Sequence, residues 1–311
     1  MADDPDVLGP DWQSRTLPLR PDLPGRPDPV ATLVHRADAG TDPDRPAMLY
    51  LHGFVDYFFH DHVGAALAER GIDLYGLDLR DYGRSIRPGR TPNTVRSLGV
   101  YAEEVDTAVH LLRRRHRRVV LLGHSTGGLI AALWADARHG TGLIDALVLN
   151  SPWLDLRGTR LERTVLTGVI DVLGLVAPDL PLRRLAPHYG EAAHAEWGYD
   201  LAWKPHTDFP ARASFIRAVR RGQAAVRRGL AIDVPVLVLT SDTTGPDDRW
   251  HEHLLSTDSV LDVADMWRLA PNLGEDVTVE VIEGGAHDLA LSPEPARSAY
   301  LTAVAEWAER S

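Results

Sequence analysis

The stretch "LLGHSTGGLIAA" (121–132) carries Ser125 between Gly123 and Gly127, directly after one apolar run and directly before another. A buried strand that turns through small residues straight into a helix projects its central side chain from the sheet's carboxyl edge. A serine held there is available as a nucleophile. The same string would also suit an ordinary glycine-rich strand-to-helix turn, so the reading depends on what else the chain supplies.

Two further stretches favour the nucleophile. "MLYLHGFVDY" (48–57) places His52-Gly53-Phe54 at the end of an apolar strand, where the Phe54 backbone N–H can join that of Thr126 to hold a tetrahedral oxyanion. "VTVEVIEGGAHDL" (277–289) places His287 in a glycine-rich loop just after the last strand. A serine hydroxyl is a weak nucleophile at neutral pH and needs a base to take its proton and an acid to orient that base. His287 is the candidate base. Of the other histidines, His52 and His124 lie within motifs as loop braces. His60/His62 and His251/His253 alternate in a way that could suit a metal, but no matching carboxylate cluster accompanies them, and they read as solvated loop residues.

Short β-branched or leucine-rich runs recur at 30–34, 47–51, 74–79, 119–122, 146–149, 236–239 and 277–282, with helical patterns between them. Strands alternating with helices predict a mainly parallel sheet covered on both faces. From 152 to 231 the alternation stops and helical patterns punctuated by prolines take over, which predicts a helical insertion. The core would then be residues 1–151 and 232–311, closed by a helix over 292–310.

Composition narrows the function class. A net charge of −11 over 311 residues disfavours a nucleic-acid partner, since such binding rests on phosphate neutralisation. The basic run Arg113 to Arg118 reads as the solvated end of a helix, where cations meet the negative dipole. Without cysteine there is no thiol nucleophile and no Cys-ligated metal. The acidic N-terminus lacks the pattern of a signal peptide, so a cytoplasmic location is expected. The longest apolar stretch, 164–178, contains Asp171 and is too short for a transmembrane segment.

Taken together, "LHGFVDY", "LYGLDLRDYGRS" (74–85), "LLGHSTGG" and "EGGAHDL" resemble the α/β-hydrolase superfamily, in its monoacylglycerol lipase, lysophospholipase and serine-aminopeptidase-like branch, over residues 30 to 308. The order serine, acid, histidine is that superfamily's. The resemblance implies a helical cap (lid) inserted after the sixth strand, as residues 152–231 would provide. In the family's Asp-x-Arg-Gly loop the residue after Arg is Gly, whereas here Asp81 follows Arg80. The loop reads as structural, with Asp78 and Arg80 tying it to the sheet.

The triad acid has two candidates. Asp242 follows the strand at 236–239 almost at once but lies 45 residues before His287. Asp258 lies 29 before it, in "STDSVLDVADM" (256–266), which resembles the family's Ser-x-Asp stretch with a second acid, Asp262, four residues on. On that reading 243–255 is an excursion, Asp262 starts a helix, and the catalytic set is Ser125, Asp258 and His287. The resemblance implies a serine hydrolase of uncharged or apolar carboxylic esters, lipase-, lysophospholipase- or esterase-like, acting on a small-molecule substrate through an acyl-enzyme, with no cofactor and no metal. Acyl transfer or amide cleavage by the same residues is an alternative, as is a non-catalytic ligand-binding role. The aromatics Trp153, Trp197, Trp203, Phe209 and Phe215 would pack the cap or line its pocket.

Overall fold

A computed structural model describes residues 3–310 apart from 23, 159 and 184, and leaves the side chains of 160–166 and 183 undescribed. Eleven strands are described: β1 (Asp4–Asp6), β2 (Gly9–Pro18), β3 (Val30–Arg36), β4 (Ala47–Leu51), β5 (Asp73–Asp78), β6 (Val119–His124), β7 (Ala146–Asn150), β8 (Pro181–Arg183), β9 (Ala211–Arg212), β10 (Val236–Ser241) and β11 (Val277–Ile282). The helices are α1 (Asp61–Glu69), α2 (Ala102–Arg113), α3 (Thr126–Ala137), α4 (Arg160–Val176), α5 (Pro187–Trp197), α6 (Ala213–Arg228), α7 (Val263–Leu269) and α8 (Ala296–Arg310).

Nine strands form one sheet in the order β1-β2-β3-β5-β4-β6-β7-β10-β11. From β5 to β11 every pairing is parallel, while β1, β2 and β3 join antiparallel. All seven strands expected from the apolar runs are present. The sheet also extends N-terminal to the stretch that carries the family resemblance, through β1 and β2. In β2, Trp12 and Leu17 are buried among half-exposed polar residues, so the alternation that marks a half-buried strand is out of step.

Strand residues alternate between two cores, because successive side chains point to opposite faces. Leu49, Leu51, Leu121, Leu147 and Val238 pack under α2, α3 and α6. Met48, Tyr50, Val120, Val148 and Leu239 pack under α1 and α8. Burial on both faces explains why these strands read as continuous apolar runs.

Between β7 and β10 the chain leaves the sheet for α4, α5 and α6 and the small antiparallel pair β8–β9. Phe215 on α6 stacks on Phe54 with ring centroids 4.6 Å apart. No described helix is long and apolar enough to cross a membrane.

Candidate active site

β6 runs into α3 through Ser125, whose φ of 53° lies in the left-handed region that non-glycine residues rarely occupy. The strain is held by packing and hydrogen bonds. The Ser125 N–H donates to Asn150 O at 3.0 Å, and Ser125 O accepts from Gly128 N–H at 3.1 Å and Trp153 N–H at 2.9 Å. Gly123 and Gly127 are required by close approach: a Cβ at 123 would sit 2.5 Å from Gly127 O, and one at 127 would overlap the carbonyls of Leu51 and His52.

The structure brings Ser125, His287 and Asp258 together. His287 Nε2 lies 3.1 Å from Ser125 Oγ, and His287 Nδ1 lies 3.0 Å from Asp258 Oδ2. The other Asp258 oxygen accepts N–H bonds from Val260 at 3.0 Å and Leu261 at 2.7 Å. Asp258 is fully buried. The segment before it closes like a clasp: Asp258 N–H donates to Thr243 O, and Gly245 N–H donates back to Asp258 O.

Asp242 faces elsewhere, accepting from Gly284 N–H at 2.9 Å and so bracing the glycine-rich loop that carries His287. Asp262 caps α7 through Ala264 N–H.

Phe54 and Thr126 flank the serine. Thr126 is the first residue of α3, so its N–H has no intrahelical acceptor. Phe54 lies on the loop after β4, and that loop crosses so near the turn at Ser125 that a Cβ on Gly53 would come within 3.2 Å of Ser125 Cβ. His52 fixes the loop's first half: its Nε2 accepts from Leu79 N–H at 3.1 Å and its Nδ1 therefore donates to Gly53 O at 2.8 Å. Burial pushes the His52 pKa down, consistent with a neutral brace.

His60 and His62 are corrected by the structure: His60 is buried and His62 is half-buried. His60 is buried with Nε2 2.8 Å from Asp288 Oδ2, and His62 stacks on Trp197 and donates to Ala290 O. Within the basic run His116 is likewise buried, between Tyr75 OH and Arg45 O.

Asp78 ties its loop to the rest as expected, accepting from Phe58 N–H and Arg84 N–H. Arg80 reaches past the sheet to Glu104 on α2, with Nε 2.6 Å from Oε1. Asp81 stands at φ 64°, which accounts for the glycine usual there. Its carboxylate is gripped by Arg90 at 2.7 and 2.9 Å.

Behind the serine lies a buried polar group that spacing in the sequence did not single out. Asp288 accepts from Asn150 Nδ2 at 2.9 Å, and its own N–H donates to Tyr189 OH at 3.0 Å. Burial pulls the Asp288 pKa up, but His124, His60 and Lys204 outweigh it and hold the carboxyl well below its usual range. Burial also depresses His124 to about 4. Asp56 pairs with Lys204 at 2.6 Å. Each of these residues is unremarkable alone, and only the fold places them together.

Ser125 and His287 open onto a cavity of about 550 Å³ whose wall includes Trp153, Ile170, Leu173, Ile216 and Leu261. Of the five aromatics considered from sequence, Trp153 lines it. Trp197 and Trp203 instead pack on His62 and Tyr57.

The family model described as serine aminopeptidase, S33, matches residues 42–294. The AB hydrolase superfamily protein YisY of Bacillus subtilis is 32% identical over 107 residues, 33% of this chain and 37% of that protein. The chain thus spans little more than a third of that relative's length. Among solved structures, the monoacylglycerol lipase of Paleococcus ferrophilus superposes with a TM-score of 0.66 at 22% identity, covering 86% of this chain and 95% of that one. A soluble variant of the Saccharomyces cerevisiae monoglyceride lipase, in complex with a substrate analog, gives 0.68 at 15% identity, covering 95% and 96%. A sheet of this order and a family match across most of its strands agree: the chain belongs to the serine aminopeptidase, S33, family of the α/β-hydrolase superfamily.

Proposed function

We propose that the protein is a carboxylic ester hydrolase acting on uncharged, apolar small-molecule esters through Ser125, His287 and Asp258. The observation that carries this reading is the unbroken hydrogen-bonded line from a buried carboxylate through His287 to Ser125 at the floor of a largely apolar cavity. His287 takes the Ser125 proton as Oγ attacks the ester carbonyl. The Phe54 and Thr126 N–H groups receive the oxyanion. The tetrahedral intermediate expels the alcohol, which takes the proton from His287, and leaves an acyl-serine. Water activated by His287 repeats the sequence and releases the acid. Asp258 orients the imidazole and stabilises its protonated form.

Residues 152–231 act as the cap in this account, since Trp153, Ile170, Leu173 and Ile216 supply apolar wall to the cavity that holds Ser125. Asp56 on the wall is already neutralised by Lys204, which favours an uncharged substrate over one bearing an ammonium group. A survey of p-nitrophenyl esters from acetate to laurate with wild type and Ser125→Ala tests the proposal. Turnover that rises with acyl length and disappears in the variant is expected. Equal turnover in both proteins would refute it.

A further inference from the structure

Lys204 is the only lysine among the chain's 33 Lys and Arg residues. Every other permanent cation is an arginine, yet here a compact ammonium stands on the wall of the cavity that holds Ser125. Its Nζ lies 2.6 Å from Asp56 Oδ1, 4.7 Å from the centre of the Phe59 ring and 4.9 Å from that of Tyr199. A guanidinium is larger and planar and would not take the same three contacts in the same way. The lysine's side chain is 14% exposed and that of Asp56 3%.

Asp56 follows Phe54 and Val55 on the loop that runs from His52 to His60. The start of the loop is pinned by the His52 ring. From there it passes through Val55, whose φ of 50° is a costly conformation for a β-branched residue and persists only where its surroundings enforce it. The anchor on that side is the Asp56 carboxylate, which accepts from Tyr57 N–H at 2.9 Å and from Lys204. Asp56 also lies in a buried group with His124 and Asp288, with one oxygen or nitrogen of each within 4.8 Å of the others. Two carboxylates that close repel unless a cation stands beside them. His124, depressed to about 4, is neutral at pH 7, which leaves the lysine as the permanent charge next to Asp56.

We infer that Lys204 is a positioning residue for the oxyanion loop: from the segment inserted between β7 and β10, it holds Asp56 and thereby keeps Val55 strained and the Phe54 N–H aimed at the reacting carbonyl. The inference rests on the hydrolase reading above. It adds that the inserted segment shapes the catalytic machinery as well as the substrate pocket. Tyr57 and Trp203 reinforce the link: the Tyr57 hydroxyl accepts from Asp200 N–H at 2.8 Å, and its ring meets the Trp203 edge at 5.1 Å.

The test uses the full chain, p-nitrophenyl butyrate and octyl trifluoromethyl ketone, which forms a tetrahedral adduct with an active serine. In Lys204→Met, kcat should fall roughly 10- to 100-fold, less than or equal to the loss of one oxyanion donor. KM should stay within about threefold, and the Ki of the ketone should rise in step with the loss of kcat. A general loss of structure would not produce that matched pair of changes. The double variant Asp56→Asn/Lys204→Met removes both charges and leaves no buried carboxylate unpaired, so it keeps a folded protein available, and it should retain the loss. Unchanged kcat, an unchanged ketone Ki, or full recovery in the double variant would overturn the inference. Fluorophosphonate labelling of wild-type Ser125 separates the two levels. A labelled, active wild type beside an equally active Lys204→Met variant removes the role of Lys204 alone, whereas an unlabelled wild type removes the hydrolase reading and this role with it.

Discussion

Asp258 and His287, 29 residues apart in the chain, meet with Oδ2 3.0 Å from Nδ1, while Asp242, the residue just after β10, turns its carboxylate to Gly284 N–H. The acid that comes first after the strand therefore braces the histidine loop, and the later one faces the histidine. Asp258→Asn should depress kcat by roughly 10⁴, the size of the loss when a triad acid can no longer fix the tautomer. Asp242→Asn should lower thermal stability slightly and leave kcat within a few-fold. Steady-state kinetics of the two variants side by side would expose a reversed assignment.

The glycine that is usual after Arg80 is replaced by Asp81 at a positive φ. Asp81→Val and Asp81→Gly both remove the pairing with Arg90, so their difference isolates the backbone. Asp81→Val should be the less stable by about 1–2 kcal/mol, the cost of forcing a β-branched residue into that region. Equal urea midpoints would contradict the strain assigned to this turn.

Stability should fall on acidification well before the carboxylates titrate. Burial holds His124 and His62 at about 4 in the folded state, below the ordinary histidine value of about 6.5. The unfolded chain takes up these protons first. The contribution is thus complete above about pH 6.5 and is lost progressively as the pH falls towards 4. Urea midpoints at about pH 7, 5.5 and 4.5 should decrease in that order. His62→Gln, which can still donate to Ala290 O, should flatten the slope, and a slope unaltered by the substitution would place the effect elsewhere.

Leu173 on α4 lines the cavity. Replacement by Trp should fill part of the space and shift the optimal acyl chain towards shorter esters, with labelling of Ser125 by a small fluorophosphonate unchanged. An unaltered chain-length ranking would move the acyl site away from α4.

Much of this architecture was legible because parallel strands buried on both faces read as plain apolar runs, and because glycines at 123 and 127 answer to contacts that admit no Cβ. What escaped has physical reasons. β2 mixes Trp12 and Leu17 with polar residues on an antiparallel flank, so no clean period survives. β11 reads as a buried strand but stands at the sheet edge, with Val279 and Val281 exposed. His60 and Asp288 are 228 residues apart, and the pairing of Asp56 with Lys204 spans 148. A buried polar network assembled across such distances leaves no local spacing to read.

The central claim is that Ser125 is the nucleophile of a hydrolase, and the most direct measurement is peptide-resolved mass spectrometry of the full-length protein after reaction with a fluorophosphonate. The account predicts a single adduct on Ser125, with labelling lost in Ser125→Ala and strongly slowed in His287→Ala. An adduct on a different residue, or none on a folded wild-type protein, would contradict it.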